Sequence, residues 1–435
     1  MSGPFVEELF TAIAEKTYCS GTLPLSTQHA YLYYGKDQAA RRLNFITASE
    51  EELSALALSC DPATFGRGAA DVLDETVRKA GKLDLEHFSS TFNLAESGLM
   101  DIVRSELLEG KSEQKKSIRA ELYKLNVYDR GAFFKAHKDT PRGEHMFGSL
   151  VVVFPARHVG GALLLRHGGK EWTIDAATEI SSKTSPVIAY VAFYSDVEHE
   201  VTPVTSGHRV TLTYNLYFVR RKEDDTAPPK AADLTSSNEA AFHSVLSQAL
   251  ADPAFIPEGG RLGFGLSHQY PFSRRLNNMI DKYEGNQDVR RILKKTVNVL
   301  KGSDSMIFRV CKSLFLKGYL SAVYRVPSWD KEKRVEYFRD YILDTPTELG
   351  YVSLDVGTSL EELGAERIYK HGRPGSTTTN TVHWITRMTT FNDVASQYSG
   401  DLGNQGETDI VYSSICLIVD VGKFEARATI RGAEV

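Results

Sequence analysis

The sequence predicts an α+β protein whose core is a double-stranded β-helix, the jelly-roll arrangement of cupin-like proteins. Three observations lead to this prediction. Residues 121–219 consist of short strand-like runs, residues 1–120 show helical spacing of apolar side chains, and residues 239–435 mix the two patterns. Because the chain has 435 residues and 42% of them are apolar, it can form more than one domain with a sizeable core.

The first 120 residues are predicted to be a helical region that packs on the core. The segment PFVEELFTAIAEK carries apolar residues at helical spacing, and two further helices are expected at AADVLDETVRKA and ESGLMDIVRSELLE. Gly66 and Gly68 precede the first of these two segments and indicate a loop. The N-terminal region is therefore expected to be mostly α-helical.

Residues 121–219 are the predicted jelly-roll core. The strand-like runs are rich in Val, Leu, Thr, Tyr and Phe: LYKLNVY, AFFKAH, GSLVVVFP, GALLLRH, KEWTID, PVIAYVAFY, HEVTPV and HRVTLTYNLYF. SLVVVF and VIAYVAF are continuously apolar, as expected for strands that are buried on both faces. His158 and His167, on either side of GGALLLR, are expected to be turn and edge residues. This density of short strands favours a barrel or a jelly roll.

Two segments follow the predicted core. Residues 220–238 are charged and then rich in Pro, Ala and Ser, which is typical of a linker or surface loop. Residues 239–435 combine helix signals such as DVRRILKKTVNVLK with strand signals such as DIVYSSICLIVDVG, so they predict an α+β region. Its role stays open between a second barrel without a metal and a domain that docks substrate.

Composition and charge argue against several classes of function. The formal net charge of −5 gives no general attraction to nucleic acid, so a nucleic-acid substrate is disfavoured. The four cysteines are far apart and form no C-x-x-C pair, which argues against a zinc ribbon, an iron–sulfur site or a thioredoxin-like motif. The N-terminus carries Glu7 and Glu8 and does not read as a secretory signal, and no stretch reaches the roughly 20 apolar residues of a membrane span. A cytoplasmic or nuclear protein is the expectation.

One short motif carries candidate metal ligands. His137-Lys138-Asp139 is the single H-x-[DE] triplet among the 12 histidines, and it ends a predicted strand. Because residues i and i+2 of a strand point to the same face, the side chains of His137 and Asp139 converge on one point. A third ligand is expected from a later strand, and His199 begins one ahead of the turn PVTSG. Two histidines and one carboxylate form the facial triad that holds Fe(II) in non-haem oxygenases and leaves coordination positions open.

Arg209 makes this prediction more specific. It lies ten residues after His199, and a hairpin of this length brings the returning strand beside the outgoing one. Arg209 and Thr211 share one face of the returning strand by the period of two. A buried guanidinium requires an anion, and the distal carboxylate of 2-oxoglutarate meets this requirement through bidentate pairing. Thr211 fits equally well as an ordinary strand residue.

At these residues the chain resembles the prolyl 4-hydroxylase-like family of 2-oxoglutarate/Fe(II)-dependent oxygenases. The resemblance covers about residues 122–218, and its motif reads Tyr128, Gly131, Phe134, His137, Asp139, His199 and Arg209. It implies that Tyr128 hydrogen-bonds a carboxylate of 2-oxoglutarate, although a strand tyrosine is also common as a core residue. Many family members have lysine at the position of Arg209, and either cation fits.

The resemblance implies an enzyme, a 2-oxoglutarate-dependent dioxygenase with Fe(II) as cofactor and with 2-oxoglutarate and O2 as co-substrates. Its reaction would hydroxylate a C–H bond and release succinate and CO2, with no catalytic residue beyond the metal centre. A protein side chain such as proline is the first expected target. The alternatives are a small metabolite, since this fold hosts many chemistries, and a catalytically silent binding protein with a retained barrel.

Overall fold

The structure is a computed structural model. It describes residues 4–13, 16–36, 40–67, 70–108, 117–139, 142, 145–219, 237–270, 287–327, 334–339, 351–352, 356–362, 364–368, 381–389, 392–401 and 406–431. The chain divides into two compact units, one formed by Met1–Glu15 with Thr235–Val435 and the other by Lys16–Leu234. None of the described helices has the length and apolar content that a membrane-spanning helix needs.

The helices are short and scattered along the chain. The α-helices of the described residues are α1 (Pro4–Ala12), α2 (Glu50–Leu58), α3 (Leu99–Leu107), α4 (Ala176–Ser181), α5 (Ser237–Ala251), α6 (Gln287–Thr296), α7 (Gly302–Ser313), α8 (Val356–Glu362) and α9 (Phe424–Arg431). Short 3-10 helices lie at Thr27–His29, Leu85–His87 and Val297–Val299.

Strands account for most of the regular structure. They are β1 (Tyr18–Pro24), β2 (Tyr31–Tyr34), β3 (Arg41–Asn44), β4 (Asp61–Pro62), β5 (Phe65–Arg67), β6 (Ala70–Val72), β7 (Arg78–Lys79), β8 (Gly81–Leu83), β9 (Phe88–Ser90), β10 (Ser117–Tyr128), β11 (Phe133–His137), β12 (Met146–Val153), β13 (His158–Gly160), β14 (Leu163–His167), β15 (Lys170–Ile174), β16 (Val187–Tyr194), β17 (Glu198–Val201), β18 (Val204–Gly207), β19 (Arg209–Val219), β20 (Gly260–Gly265), β21 (Lys317–Pro327), β22 (Arg334–Arg339), β23 (Tyr351–Val352), β24 (Glu366–Ile368), β25 (Val382–Trp384), β26 (Asp393–Asp401) and β27 (Gly406–Val421).

The unit of residues 16–234 is built on two antiparallel sheets. The larger has the order β1-β16-β12-β19-β10-β8-β4, and the smaller has the order β15-β14-β17-β11-β7. Buried residues of both sheets, such as Leu150 and Val201, belong to one apolar core. The α+β class is as predicted, and a pair of antiparallel sheets with a shared core is the arrangement that a jelly roll requires.

The prediction that residues 1–120 are mostly helical is wrong. Helices α1 and α3 form where two of the expected helices lie, but AADVLDETVRKA forms β6, a turn and β7 instead of a helix. In that turn Asp74 accepts hydrogen bonds from the backbone N–H of Thr76 at 2.9 Å and from its hydroxyl at 2.6 Å. Pairing of Arg78 with Phe134 on β11 then stabilises the extended form, so tertiary contacts override the local helical preference.

The expected boundary at residue 120 does not separate compact units. Strands β1, β4 and β8 precede it and belong to the same sheet as β10, β12, β16 and β19, which follow it. Helix α1 belongs to the other unit, where Leu9 is fully buried in the core. Of the predicted linker 220–238, residues 220–236 lie outside the described residues, and α5 begins at Ser237.

The unit that contains residues 235–435 is also α+β, as predicted for this region. Its sheet has the order β23-β26-β27-β21-β22-β24, and β20 pairs with β27 and, in parallel, with β25. Its core combines strand residues such as Leu262 and Leu417 with helix residues such as Phe242 and Val310. No side chain of this region was predicted to carry chemistry.

Candidate metal centre and co-substrate pocket

Two neighbouring strands of the smaller sheet carry the predicted metal ligands. β11 and β17 pair antiparallel, and His137 lies directly opposite His199. Their imidazole rings approach each other, with ring centroids 4.1 Å apart. Asp139 follows two residues after His137 and brings its Oδ1 to 3.8 Å from Nε2 of His199. One ligand atom from each of the three residues lies within 4.8 Å of the others, so the structure brings the predicted triad together.

Backbone carbonyls fix the orientation of both histidines. Nδ1 of His137 lies 2.8 Å from the carbonyl oxygen of Lys135, and Nδ1 of His199 lies 3.1 Å from that of Val197. When Nδ1–H donates to these carbonyls, Nε2 keeps its lone pair and is available to a metal. Burial, reinforced by the neighbouring His199, lowers the pKa of His137. Its imidazole is therefore neutral, as a metal ligand must be.

A hydroxyl from the larger sheet holds Asp139. Ser149 lies on β12, and its Oγ donates to Oδ2 of Asp139 at 2.5 Å. The other carboxylate oxygen, Oδ1, is the one that faces His199. The sequence did not predict this contact, because Ser149 sits in an apolar run and only the approach of the two sheets brings it to Asp139. Ser149 thus orients the carboxylate of the triad.

We expect Ser149→Ala to weaken Fe(II) binding by about tenfold, because hydrogen-bond partners of metal ligands typically contribute at least that much to affinity. The measurement is the Fe(II) concentration at which 2-oxoglutarate turnover is half-maximal. Ser105→Ala, at an exposed serine of α3, is the matched control and should leave this concentration unchanged. An Fe(II) dependence identical to that of the wild type in Ser149→Ala would contradict the assigned role.

Two phenylalanine rings border the triad. The Phe134 ring stacks on His137 with centroids 3.5 Å apart, and the Phe193 ring lies 4.7 Å from that of His199. Both phenylalanines are buried, on β11 and β16 respectively. These contacts restrict rotation of the imidazoles and keep water away from their ring faces.

The predicted co-substrate residues lie together on β10 and β19. Arg209 and Thr211 point to the same face of β19, with 2% and 1% of their surfaces exposed. Tyr128 lies directly opposite Arg209 on β10, and the guanidinium carbon is 5.4 Å from the centre of the tyrosine ring. The structure therefore brings Tyr128, Arg209 and Thr211 into one buried region.

The guanidinium of Arg209 forms no ion pair with the part of the chain that the structure describes. Its Nε is buried without a hydrogen-bond partner, and burial lowers the pKa of the group. Gly161 gives the side chain room, since a Cβ there would lie 2.9 Å from Cδ of Arg209. A buried charge is strongly destabilising unless it is paired. A dicarboxylate such as 2-oxoglutarate fits this site, because it would supply the missing anion while the triad supplies donors suited to Fe(II).

His158 is a candidate residue that the sequence did not single out. It lies on the short edge strand β13, in agreement with its expected place, but its Nε2 is buried without a hydrogen-bond partner. Nδ1 lies 2.8 Å from the carbonyl oxygen of Ala156. Burial, together with the charge of Arg209, lowers the pKa of His158. A buried nitrogen without a hydrogen-bond partner thus lies near the charge of Arg209, and no local sequence pattern indicated it.

Comparisons with known proteins bear on the central part of the chain. Residues 123–217 match the model of the 2OG-Fe(II) oxygenase superfamily. No curated protein matches the chain. Similar solved structures include a Pseudomonas putida prolyl-4-hydroxylase, which is 19% identical over 50% of this chain and 100% of that chain, with a TM-score of 0.30. A Trichoplax adhaerens prolyl hydroxylase in complex with a hypoxia inducible factor peptide fragment is 16% identical over 49% of this chain and 89% of that chain, with a TM-score of 0.29.

The superfamily match confirms the resemblance that the sequence predicted. The matched segment contains His137, Asp139, His199, Arg209 and Tyr128. Residues 123–217 are therefore an oxygenase domain of the class that uses Fe(II), 2-oxoglutarate and dioxygen. Because the identities and TM-scores of these solved structures are low, they do not indicate which substrate this chain binds.

Proposed function

We propose that this protein hydroxylates a C–H bond of a protein side chain, of the prolyl type, with release of succinate and CO2. One observation carries the proposal: a two-histidine, one-carboxylate cluster lies in the same sheet pair as a buried arginine that has no counter-ion among the described residues. A metal-only site would not need the arginine, and a simple anion site would not need the triad. The motif that resembles the prolyl 4-hydroxylase-like family supports the prolyl-type substrate.

In this proposal each residue has a defined task. His137, Asp139 and His199 would hold Fe(II) through two Nε2 atoms and one carboxylate oxygen. The bound metal, with 2-oxoglutarate and O2, supplies the oxidative chemistry. Arg209 would pair with the distal carboxylate of 2-oxoglutarate, while Tyr128 and Thr211 would donate hydroxyl hydrogen bonds beside it.

The reaction balances without any further reductant. One 2-oxoglutarate, one O2 and one substrate C–H group become succinate, CO2 and a C–OH group, so one oxygen atom enters succinate and the other enters the substrate. The protein's part is to orient both co-substrate ends and to keep the site dry. Phe134 and Phe193 serve the second purpose at the triad.

The test is a turnover assay of the full chain with Fe(II) and 2-oxoglutarate against two panels, one of proline-containing peptides and one of small metabolites. We expect succinate to form in step with a peptide mass increase of about 16, which is one oxygen atom. Mass increases in metabolites alone would assign the chemistry to a small-molecule substrate and overturn the peptide proposal. If neither panel gave succinate, the result would favour a catalytically silent binding protein.

A further inference from the structure

Arg78 is a buried cation at the border of the metal centre that the proposed mechanism does not use. It lies on β7, is 6% exposed, and its guanidinium carbon is 4.4 Å from the centre of the Phe134 ring. The same ring stacks on His137. Arg78 donates to the carbonyl oxygen of Thr64 at 2.7 Å and to Oδ1 of Asn126 at 2.8 Å, while its Nε is buried without a hydrogen-bond partner. The described groups that fix this guanidinium are thus all neutral.

Lys124 is a second buried cation on the same side. It is 7% exposed and lies two residues before Asn126, so both side chains point to one face of β10. Its ammonium group lies 4.0 Å from the centre of the Tyr123 ring and pairs with no carboxylate of the described residues. Arg142 contacts the same ring at 4.3 Å and donates to the Tyr123 hydroxyl. Two cations therefore share one aromatic ring.

Positive charge is in excess here. Lys82 lies opposite Asn126 on β8, and with Arg78, Lys124 and Arg142 it completes what we call the cation cluster. Within the described ranges, Asp84 is the one carboxylate in an ion pair with the cluster, bonded to Lys82 at 2.6 Å. Burial, with Arg78 and Lys82 nearby, lowers the pKa of Lys124 to about 8. Arg142 is exposed and Lys82 is half-buried, but Arg78 and Lys124 are held away from water. Two like charges buried near each other destabilise the fold unless an anion binds beside them.

This anion is not the distal carboxylate of 2-oxoglutarate in the proposed site. Tyr128, opposite Arg209, and Lys124, opposite Thr213, lie four residues apart on β10, which is about 13 Å at the rise of a strand. A single compact anion suits Arg78 and Lys124, the two buried members of the cluster, better than a phosphodiester backbone, which carries a charge every few ångströms along its length. The overall charge of −5 also disfavours nucleic acid.

We infer that the cation cluster binds an acidic side chain of the peptide substrate, a carboxylate or a phosphate monoester, and so directs hydroxylation to sites beside an acid. The inference rests on the proposed function and deepens it, because it names the chemistry that would distinguish one peptide from another. Arg78 would meet the anion nearest the metal centre, and Lys124 would meet it from β10. Both contacts would be charge-assisted hydrogen bonds, which are stronger than hydrogen bonds between neutral groups.

The experiment measures binding and turnover separately on the full chain. Labelled peptides carry a central proline and a single glutamate that is moved from one side of it to the other, with glutamine and phosphoserine counterparts. Fluorescence anisotropy should show a glutamate or phosphoserine peptide bound about tenfold more tightly than its glutamine counterpart. Lys124→Gln should remove this difference. Lys79→Gln makes the same charge change at the exposed neighbour of Arg78 on β7 and should preserve it.

Several outcomes would overturn the inference. They are equal affinity for the acidic and neutral peptides, a Lys124→Gln variant that keeps the preference, and tighter binding of a single-stranded oligonucleotide of equal charge. A raised KM for 2-oxoglutarate in Lys124→Gln would also do so, because it would assign the cluster to the co-substrate. Lys124→Glu with lysine-bearing peptides provides the reverse test, in which the preference should invert. Acidic peptides that bind without being hydroxylated would contradict the proposed function and leave standing only the assignment of the cation cluster as a site for an acidic side chain.

Discussion

His199→Ala should lower 2-oxoglutarate turnover by well over a hundredfold. Groups that merely orient a metal ligand typically contribute about 10- to 100-fold, so removal of a ligand itself must cost more. His199 is also the residue that closes the triad, since it lies opposite His137 and faces Oδ1 of Asp139. The measurement is succinate formation, together with the weak visible absorption band that Fe(II) and 2-oxoglutarate should give anaerobically. The band should be absent in the variant.

The control for His199→Ala must separate metal loss from misfolding. His29→Ala, at a partly buried histidine outside the triad, should retain the band and the turnover. The His199→Ala variant should keep a cooperative thermal transition. The lost imidazole packs on Phe193 at the site, so its removal should leave the rest of the apolar core intact. A folded His199→Ala protein with an undiminished band would rule out the proposed triad.

The triad could be predicted from the sequence because it depends on short-range regularities. The period of two predicted that His137 and Asp139 share a face, and the structure brings their side chains together although β11 ends at His137. The predicted hairpin is wrong, because β17, which carries His199, pairs with β11 and β14 in the smaller sheet, whereas Arg209 begins β19 of the larger sheet. Register then decides the contacts, and the structure shows His137 opposite His199 and Tyr128 opposite Arg209. The first pairing lies in the smaller sheet and the second in the larger, so the sequence pattern identified the residues but not the sheets that hold them.

The remaining site residues could not be predicted, because they reach the site through contacts between distant segments. Ser149 approaches Asp139 from the other sheet, and His158, on a strand that pairs with β18, is near enough for the charge of Arg209 to lower its pKa. Arg78 was placed in a helix by the apolar spacing of AADVLDETVRKA, whereas the structure pairs it with Phe134 on β11. Local pattern cannot distinguish a short helix from a turn between two short strands when a tertiary partner stabilises the second form.

Arg209→Met should weaken 2-oxoglutarate binding by about thirtyfold or more. Truncation of one partner of a buried charge pair costs about 2–5 kcal/mol, and a tenfold change in affinity corresponds to about 1.4 kcal/mol. The measurement is the KM for 2-oxoglutarate in succinate formation, with Arg209→Lys expected to retain much of the binding because a cation remains. Arg166→Met, at a more exposed arginine on β14 that pairs with Glu171 and Glu200, is the control and should leave the KM unchanged.

The same variant also tests whether Arg209 is held unpaired for a ligand. In the absence of 2-oxoglutarate the wild-type protein keeps a buried guanidinium whose Nε has no partner, and methionine at this position would remove the cost of burying that charge. Arg209→Met should therefore melt no lower than the wild type without 2-oxoglutarate, and it should lose the increase in melting temperature that 2-oxoglutarate gives the wild type. A purely structural arginine would give the reverse, a lower melting temperature with binding intact. If Arg209→Met instead bound normally and Arg78→Met did not, the distal carboxylate would lie at Arg78.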